Sequence, residues 1–245
     1  MKNFWDIVNH VVKEADIILL VLDARFPEQT DNEELLDKAG EKDIIYVLNK
    51  ADLVNRETLL KWKKKYPNCI YISAKQHQGT TVLLHKILQI AEGQKVSVGV
   101  VGYPNTGKSS VINALKGRKS ASTSPHSGHT KAKQLIKITD NVYLIDTPGV
   151  LPYMEKDKIK LAMIGATDFT KTKDPDLAAM ELIKNKKSMI CKYYGVKESG
   201  SAEKIIKNIA IRLKKLVKGG EPNVNETARL ILRDWQKGKI SQPRG

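Results

Sequence analysis

The sequence has 245 residues, with 42 Lys and Arg against 27 Asp and Glu, for a formal charge of +15. That length suits one large domain or a medium domain plus a small one, and it can bury a sizeable core. The longest purely apolar run, residues 17–22, is too short to span a membrane, the opening residues lack a signal-peptide layout, and Cys69 and Cys191 give neither a disulfide framework nor zinc spacing, so a cytoplasmic protein with free thiols is expected.

Taken in chain order, Phe4, Trp5, Val8, Val11 and Val12 fall at helical spacing and predict a helix over 4–13. A buried strand over 17–22 ends at Asp23-Ala24-Arg25. The pattern then predicts a helix over 31–39, a strand over 44–48, a helix over 56–65, a strand over 69–72, a helix over 79–91 and a strand over 96–101. Another helix opens near Lys108, and strands near 135–138 and 142–145 make a hairpin through Asp140-Asn141. Short apolar strands alternating with helices indicate an α/β fold with a mostly parallel, six-stranded sheet, in which ligands bind beyond the carboxyl ends of the strands.

After residue 153 the pattern turns all-helical, with three helices expected. Asp174-Pro175 opens the first and Ser201 caps the second, whose apolar face is Ile205, Ile206, Ile209, Leu213, Leu216 and Val217 and whose stop is Gly219-Gly220. Asn223 with Glu226 reads as a capping box for the third, with Gly238 as its stop and a flexible tail beyond. Domains are therefore expected at 1–155 and 160–245. Residues 176–245 carry 16 Lys and Arg against 7 Asp and Glu, a net of +9. Lys204, Lys207, Lys214, Lys215 and Lys218 are expected on the polar side of the second helix, as an RNA-binding face. A merely solvated surface explains the charge equally well.

Four motifs carry chemistry, each at the end of an expected strand. Residues 102–109, Gly-Tyr-Pro-Asn-Thr-Gly-Lys-Ser, fit G-x-x-x-x-G-K-[ST] between a strand and a helix. The glycines let backbone N–H groups curl around phosphate oxygens, the helix N-terminus adds its dipole, Lys108 reaches the β- and γ-phosphates, and the Ser109 hydroxyl binds Mg²⁺. Asn105, Thr106, Gly107 and Ser110 complete the cradle. Asp146-Thr147-Pro148-Gly149 offers a carboxylate for Mg²⁺ and the Gly149 N–H for a γ-phosphate. In Asn49-Lys50-Ala51-Asp52, the Asp52 carboxylate can accept both the N1–H and N2–H of guanine, which adenine lacks. The Lys50 stem packs on the base, Asn49 ties the loop to its neighbours, and Ser73-Ala74-Lys75 can present the Ala74 N–H to guanine O6. Together these predict a site for GTP or GDP with Mg²⁺. An ATP-using enzyme is disfavoured by Asp52.

The order of the motifs is rotated. A conventional Ras-like GTPase reads phosphate loop, switch threonine, DxxG, NKxD and SAK, whereas here NKAD and SAK precede the phosphate loop and DTPG comes last. With Asp23-Ala24-Arg25 and GYPNTGKSS, residues 1–155 resemble the circularly permuted GTPases of the YlqF/YawG family, in the hydrophobic-substituted group. The resemblance implies a P-loop, Ras-like GTP-hydrolysing domain that assists assembly of the large ribosomal subunit, acting on precursor particles and ribosomal RNA as a monomer, without DNA or membrane. It also implies that Thr130 is the Mg²⁺-binding switch threonine and that Asn105 coordinates a K⁺ ion standing in for an arginine finger, which makes Asn105, Lys108, Thr130 and Gly149 the catalytic set. The sequence departs from the family at Ser127-Gly128-His129-Thr130, where Pro-Gly-x-Thr is usual, and His126 and His129 keep either a phosphate-contacting or a plain loop role. Val150 follows DTPG where Ras-like sites carry a water-orienting glutamine, so slow intrinsic hydrolysis is expected. The DTPG loop runs straight into the helical region, which suits a switch that moves it. Two alternatives stay open: a GTP-dependent factor acting on another RNA or protein complex, and an RNA-binding module that uses the nucleotide only for stability.

Overall fold

A computed structural model describes residues 4–31, 33–66, 68–117, 135–145 and 157–242. The chain divides into two compact units, Met1–Tyr153 and Met154–Arg244. Among the described residues no helix is long and apolar enough to cross a membrane.

The first unit is built on a six-stranded sheet. Its strands are β1 (Ile17–Asp23), β2 (Asp43–Asn49), β3 (Ile70–Tyr71), β4 (Val96–Val101), β5 (Leu135–Lys137) and β6 (Val142–Ile145), in the spatial order β3-β2-β1-β4-β6-β5. All neighbours are parallel except the β5–β6 hairpin. Every residue of β1 is buried, because it is central and covered on both faces. Successive side chains alternate between faces. Ile17, Leu19 and Val21 pack with Leu83, Ile87 and Val111 from α5 (Thr80–Ala91) and α6 (Lys108–Lys116). Ile18, Leu20 and Leu22 pack on the other face with Val11, Val12 and Ala15, which come from α1 (Phe4–Glu14) and its end.

Local signals set most helix ends. Asn55 accepts from the Thr58 N–H at 2.9 Å and starts α4 (Arg56–Lys65), where lysines fill the last turn and complement the dipole. The carbonyls that close α1 are taken by one ammonium: Lys42 Nζ donates to the carbonyls of Val12, Lys13 and Ala15 at 2.5, 3.0 and 2.6 Å. The helix expected over 31–39 is observed as α3 (Glu33–Ala39), and a short helix that the pattern missed, α2 (Pro27–Thr30), precedes it, because Pro27 starts a helical turn and Asp31 is extended.

The second unit has four helices among its described residues: α7 (Lys158–Met163), α8 (Pro175–Tyr194), α9 (Ala202–Arg212) and α10 (Val224–Gln236). The short α7, capped by Asp157, is the one the apolar pattern missed. Pro175 starts α8, but Asp174 makes no side-chain cap bond, and the helix kinks at Lys186. Ser201 caps α9 as expected. Asn223 caps α10 through the Glu226 N–H, whereas the Glu226 side chain turns to Lys215 and to Asn223 Nδ2 instead of closing the box. Ile183, Ile190, Ile206, Ile209, Leu232 and Trp235 are fully or almost fully buried. The buried Tyr194 hydroxyl donates to Asp234 Oδ2 at 3.0 Å. Ile240, in the segment expected to be a free tail, is buried.

The largest departure is the end of α9. The helix stops at Arg212, seven residues before Gly219. Lys214 takes a left-handed conformation at φ 54°, its N–H bonds to the Ile211 carbonyl at 3.1 Å, and the Lys215 N–H reaches back to Ala210 at 2.8 Å. These two bonds close a helix in the Schellman pattern, which usually has glycine where Lys214 stands. Gly219-Gly220 instead forms the tip of a small hairpin, with the Val217 N–H on the Glu221 carbonyl at 2.9 Å and a bridge between Leu216 and Pro222. Leu213, Leu216 and Val217 are exposed rather than on a buried helix face, and Lys214, Lys215 and Lys218 lie beyond the helix. Left-handed backbone costs a residue with a Cβ free energy that glycine avoids. Lys214→Gly is therefore expected to stabilise the protein by about 0.5–1 kcal/mol. Urea denaturation of the two proteins checks this, and an unchanged or lowered midpoint contradicts it.

Candidate nucleotide-binding site

Four parallel strands, β3, β2, β1 and β4, bring the SAK, NKAD and phosphate loops and the Asp23-Ala24-Arg25 turn together beyond their carboxyl ends. Residues 102–107 form the loop between β4 and α6. Gly107 is at φ 99°, and a Cβ there would meet Asn49 Nδ2 at 2.1 Å. Gly102 is at φ 141°, and a Cβ would meet the Val21 carbonyl oxygen at 2.4 Å. Both positions thus need glycine, one against the neighbouring loop and one against β1. The buried Thr106 closes the turn through Oγ1 on the Tyr103 carbonyl at 2.9 Å. Ser109 and Ser110 lie exposed in the first turn of α6.

Lys108 follows the loop and folds back on it. Its Nζ donates to the carbonyls of Gly102 at 2.8 Å and Tyr103 at 2.7 Å. Burial pushes its pKa down to about 8. A half-buried ammonium that leans on two carbonyls, at a helix N-terminus, fits an anion such as phosphate.

The loops expected to read the base sit beside it. Asn49, at the end of β2, is 3% exposed. Its Nδ2 donates to the Thr106 carbonyl at 2.8 Å, and its Oδ1 accepts the Ala74 N–H at 3.1 Å. One side chain therefore joins the NKAD, phosphate and SAK loops. The Ala74 N–H expected to face guanine O6 is here engaged by Asn49. Ser73 is buried and accepts from the Gln76 N–H at 3.3 Å, while Lys75 is exposed. Asp52 is half-buried in the turn after Lys50, with Gln76 Nε2 at 3.5 Å from its Oδ2.

Lys50 takes a left-handed conformation at φ 61° and sends its ammonium two ways, to the Asn105 carbonyl at 2.6 Å and to Asp23 Oδ2 at 2.7 Å. Burial opposes ionisation of Asp23, yet Arg25 and Lys50 together hold its carboxyl well below the usual carboxylate range. Asp23 and Arg25 received no role from the motif chemistry. Their signal in the sequence was a charged pair two residues apart at the end of an otherwise apolar strand.

Asn105 is exposed, at φ 60°. Thr130, Asp146, Gly149 and Val150, with His126 and His129, lie outside the described residues. Of the expected Mg²⁺ ligands, only Ser109 falls within them. The lysines of the second unit do not form one helix face. Lys204 and Lys207 are on α9, with Lys207 paired to Glu203 at 2.6 Å. Lys215 is paired to Glu226, and Lys214 and Lys218 are exposed near the hairpin.

Comparisons with known proteins agree with this geometry. The RsgA GTPase family model matches residues 6–153, and the model described as 50S ribosome-binding GTPase matches residues 97–214. A GTP-binding protein of Methanocaldococcus jannaschii is 42% identical over 245 residues, covering 96% of this chain and 65% of the relative. Nucleolar GTP-binding protein 2 of Neurospora crassa is 34% identical, covering 98% of this chain and 41% of the relative. The chain thus spans less than two thirds of either relative. A GDP-bound YlqF structure superposes with a TM-score of 0.71 at 22% identity, covering 97% of this chain and 96% of the other, and shares the fold. With an RsgA GTPase match over more than half its length, and with NKAD and SAK ahead of the phosphate loop, this chain belongs to the RsgA GTPase family and carries its motifs in circularly permuted order.

Proposed function

We propose that this chain is a GTP-binding and GTP-hydrolysing switch that assists assembly of the large ribosomal subunit and grips ribosomal RNA through its basic helical unit. The observation that carries the nucleotide part is Asn49, which bonds the phosphate loop at 2.8 Å and the SAK loop at 3.1 Å from the end of β2. The ribosomal part is supported by the 50S ribosome-binding description of the matching family model and by the nucleolar name of a relative.

In this reading Asp52 accepts the two guanine N–H groups and Lys108 contacts the β- and γ-phosphates. Magnesium, held by Ser109 with Thr130 and Asp146, and potassium at Asn105 would supply positive charge to the phosphates. Gly149 offers its N–H to the γ-phosphate, and Val150 cannot hydrogen-bond water, so hydrolysis without a partner is slow. Lys204, Lys207, Lys214, Lys215 and Lys218 supply the charge for RNA, with Lys214 and Lys218 exposed beside the hairpin.

Asp52→Asn inverts the donor and acceptor pattern at the base edge. The variant is expected to prefer xanthosine over guanosine diphosphate, whereas the unmodified protein prefers guanine over adenine by at least about tenfold. Competition binding with the three diphosphates measures this, and equal affinity of the unmodified protein for GDP and ADP removes the guanine reading.

Lys108 predicts a pH effect. Its pKa is about 8 against an ordinary lysine value of 10.5. A phosphate contact favours the charged form and raises it again, so binding takes up a proton wherever the free amine is neutral. Uptake should grow from roughly a quarter of a proton at about pH 7.5 to roughly three quarters at about pH 8.5, with affinity falling as pH rises. Calorimetric titration with GDP in two buffers of different ionisation enthalpy reads the uptake, and none at the higher pH contradicts the contact.

The RNA part is tested by co-sedimentation with large ribosomal subunits across a salt series, with a GTP analogue and with GDP. Replacing Lys207, Lys214 and Lys218 together by Ala should flatten the slope of log affinity against log salt by up to about 3. Superimposed curves for the two proteins would leave the charge as a solvated surface, and superimposed curves for the two nucleotides would uncouple the basic unit from the switch.

A further inference from the structure

The ion cluster at the end of β1 touches both nucleotide-reading loops, although neither of its first two members belongs to them. Asp23 is 1% exposed and Arg25 2%. Arg25 occupies both carboxylate oxygens. Its backbone N–H and Nε donate to Oδ1 at 3.0 and 2.9 Å, and its Nη2 donates to Oδ2 at 2.7 Å. The Asp23 N–H is itself held by Thr30 Oγ1 at 3.1 Å, so the loop that carries the pair is fixed from both sides. What remains of Oδ2 accepts Lys50 Nζ at 2.7 Å, and the same ammonium donates to the Asn105 carbonyl at 2.6 Å.

A lysine ammonium on a four-carbon stem has many rotamers and, unlike a guanidinium fork, brings no geometry of its own. Here the geometry comes from Asp23. Its carboxylate is already aimed by Arg25, so one direction is left for the ammonium, and that direction ends on the phosphate loop. Both residues linked by the ammonium are left-handed, Lys50 at φ 61° and Asn105 at φ 60°. Such backbone persists only where its surroundings over-determine it. The cluster of one carboxylate and two cations also keeps one net positive charge behind a loop built to face phosphate.

We propose that Asp23, locked by Arg25, is a positioning residue for nucleotide binding: it holds Lys50 on the carbonyl of Asn105 and so sets the guanine-reading loop and the phosphate loop against each other before nucleotide arrives. This rests on the guanine-nucleotide reading of the site. Preorganisation of this kind raises affinity by lowering the cost of ordering the loops. A purely structural role for Asp23 would lower the melting temperature and leave the affinity of the folded protein unchanged.

The test is a double-mutant cycle on GDP affinity and dissociation rate, followed with a fluorescent GDP well below the melting temperature of each protein. Asp23→Asn and Lys50→Met are each expected to weaken GDP about tenfold, mainly through faster release, and the pair together no more than the worse single change. Unmodified affinity in folded Asp23→Asn, or a double variant weakened by about a hundredfold as the product of two independent effects, overturns the proposal. Asp23→Asn leaves the buried Arg25 and the half-buried Lys50 against a neutral amide. If it does not fold, Asp23→Asn with Arg25→Met removes one of them and carries the same expectations. Asp52→Asn run in parallel separates the two readings. A base preference that follows Asp52 with an affinity indifferent to Asp23 sinks the positioning role alone, whereas no GDP binding by the unmodified protein sinks both.

Discussion

The side-chain amide of Asn49 spends its two ends on two different loops, and the rest of the site is arranged around that choice. A buried amide must satisfy both its donor and its acceptor. Here the donor goes to the phosphate loop and the acceptor to the SAK loop, at 2.8 and 3.1 Å. The approach is so close that a methyl group on Gly107 would stand 2.1 Å from Asn49 Nδ2. The glycine at this position therefore serves the loop's neighbour as much as its backbone conformation. The NKAD and phosphate loops are joined because the strands that carry them are joined, β2 to β1 and β1 to β4.

Rotating the order of motifs along the chain leaves that neighbourhood intact. The sheet cares which strands are adjacent and parallel, not which came first, and β2-β1-β4 puts the NKAD loop, the Asp23-Ala24-Arg25 turn and the phosphate loop at one edge. Asp23 pairs in register with Asn49, which places its carboxylate within reach of Lys50, the next residue. The parallel register thus explains why an ion pair between residues 27 apart forms at all.

Much of this was legible beforehand, for identifiable reasons. The strands showed as apolar runs ended by polar motifs, and the helix expected over 56–65 is α4, whose ends the Asn55 cap and the lysines of the last turn set. The reading failed where tertiary contacts overrule local pattern. The apolar spacing through Leu213, Leu216 and Val217 continued the helical period past Arg212, but a left-handed Lys214 ends the helix, and nothing about a lysine announces that conformation. Asp23 and Arg25 could be seen as a charged pair after a strand. Their depth, and the bond from Asp23 to Lys50, depend on the sheet that only the folded chain assembles.

Lys42 carries a consequence for how the first unit comes apart. One ammonium, just before β2, holds three carbonyls at the end of α1, and Val11, Val12 and Ala15 sit in the same cluster as β1. A helix tied only by its apolar face can fray and exchange its amide protons ahead of the sheet it covers. Pinned at its carboxyl end to the residue that precedes a central strand, α1 shares the fate of that strand, and its last turn should exchange hydrogen with the sheet rather than with the surface.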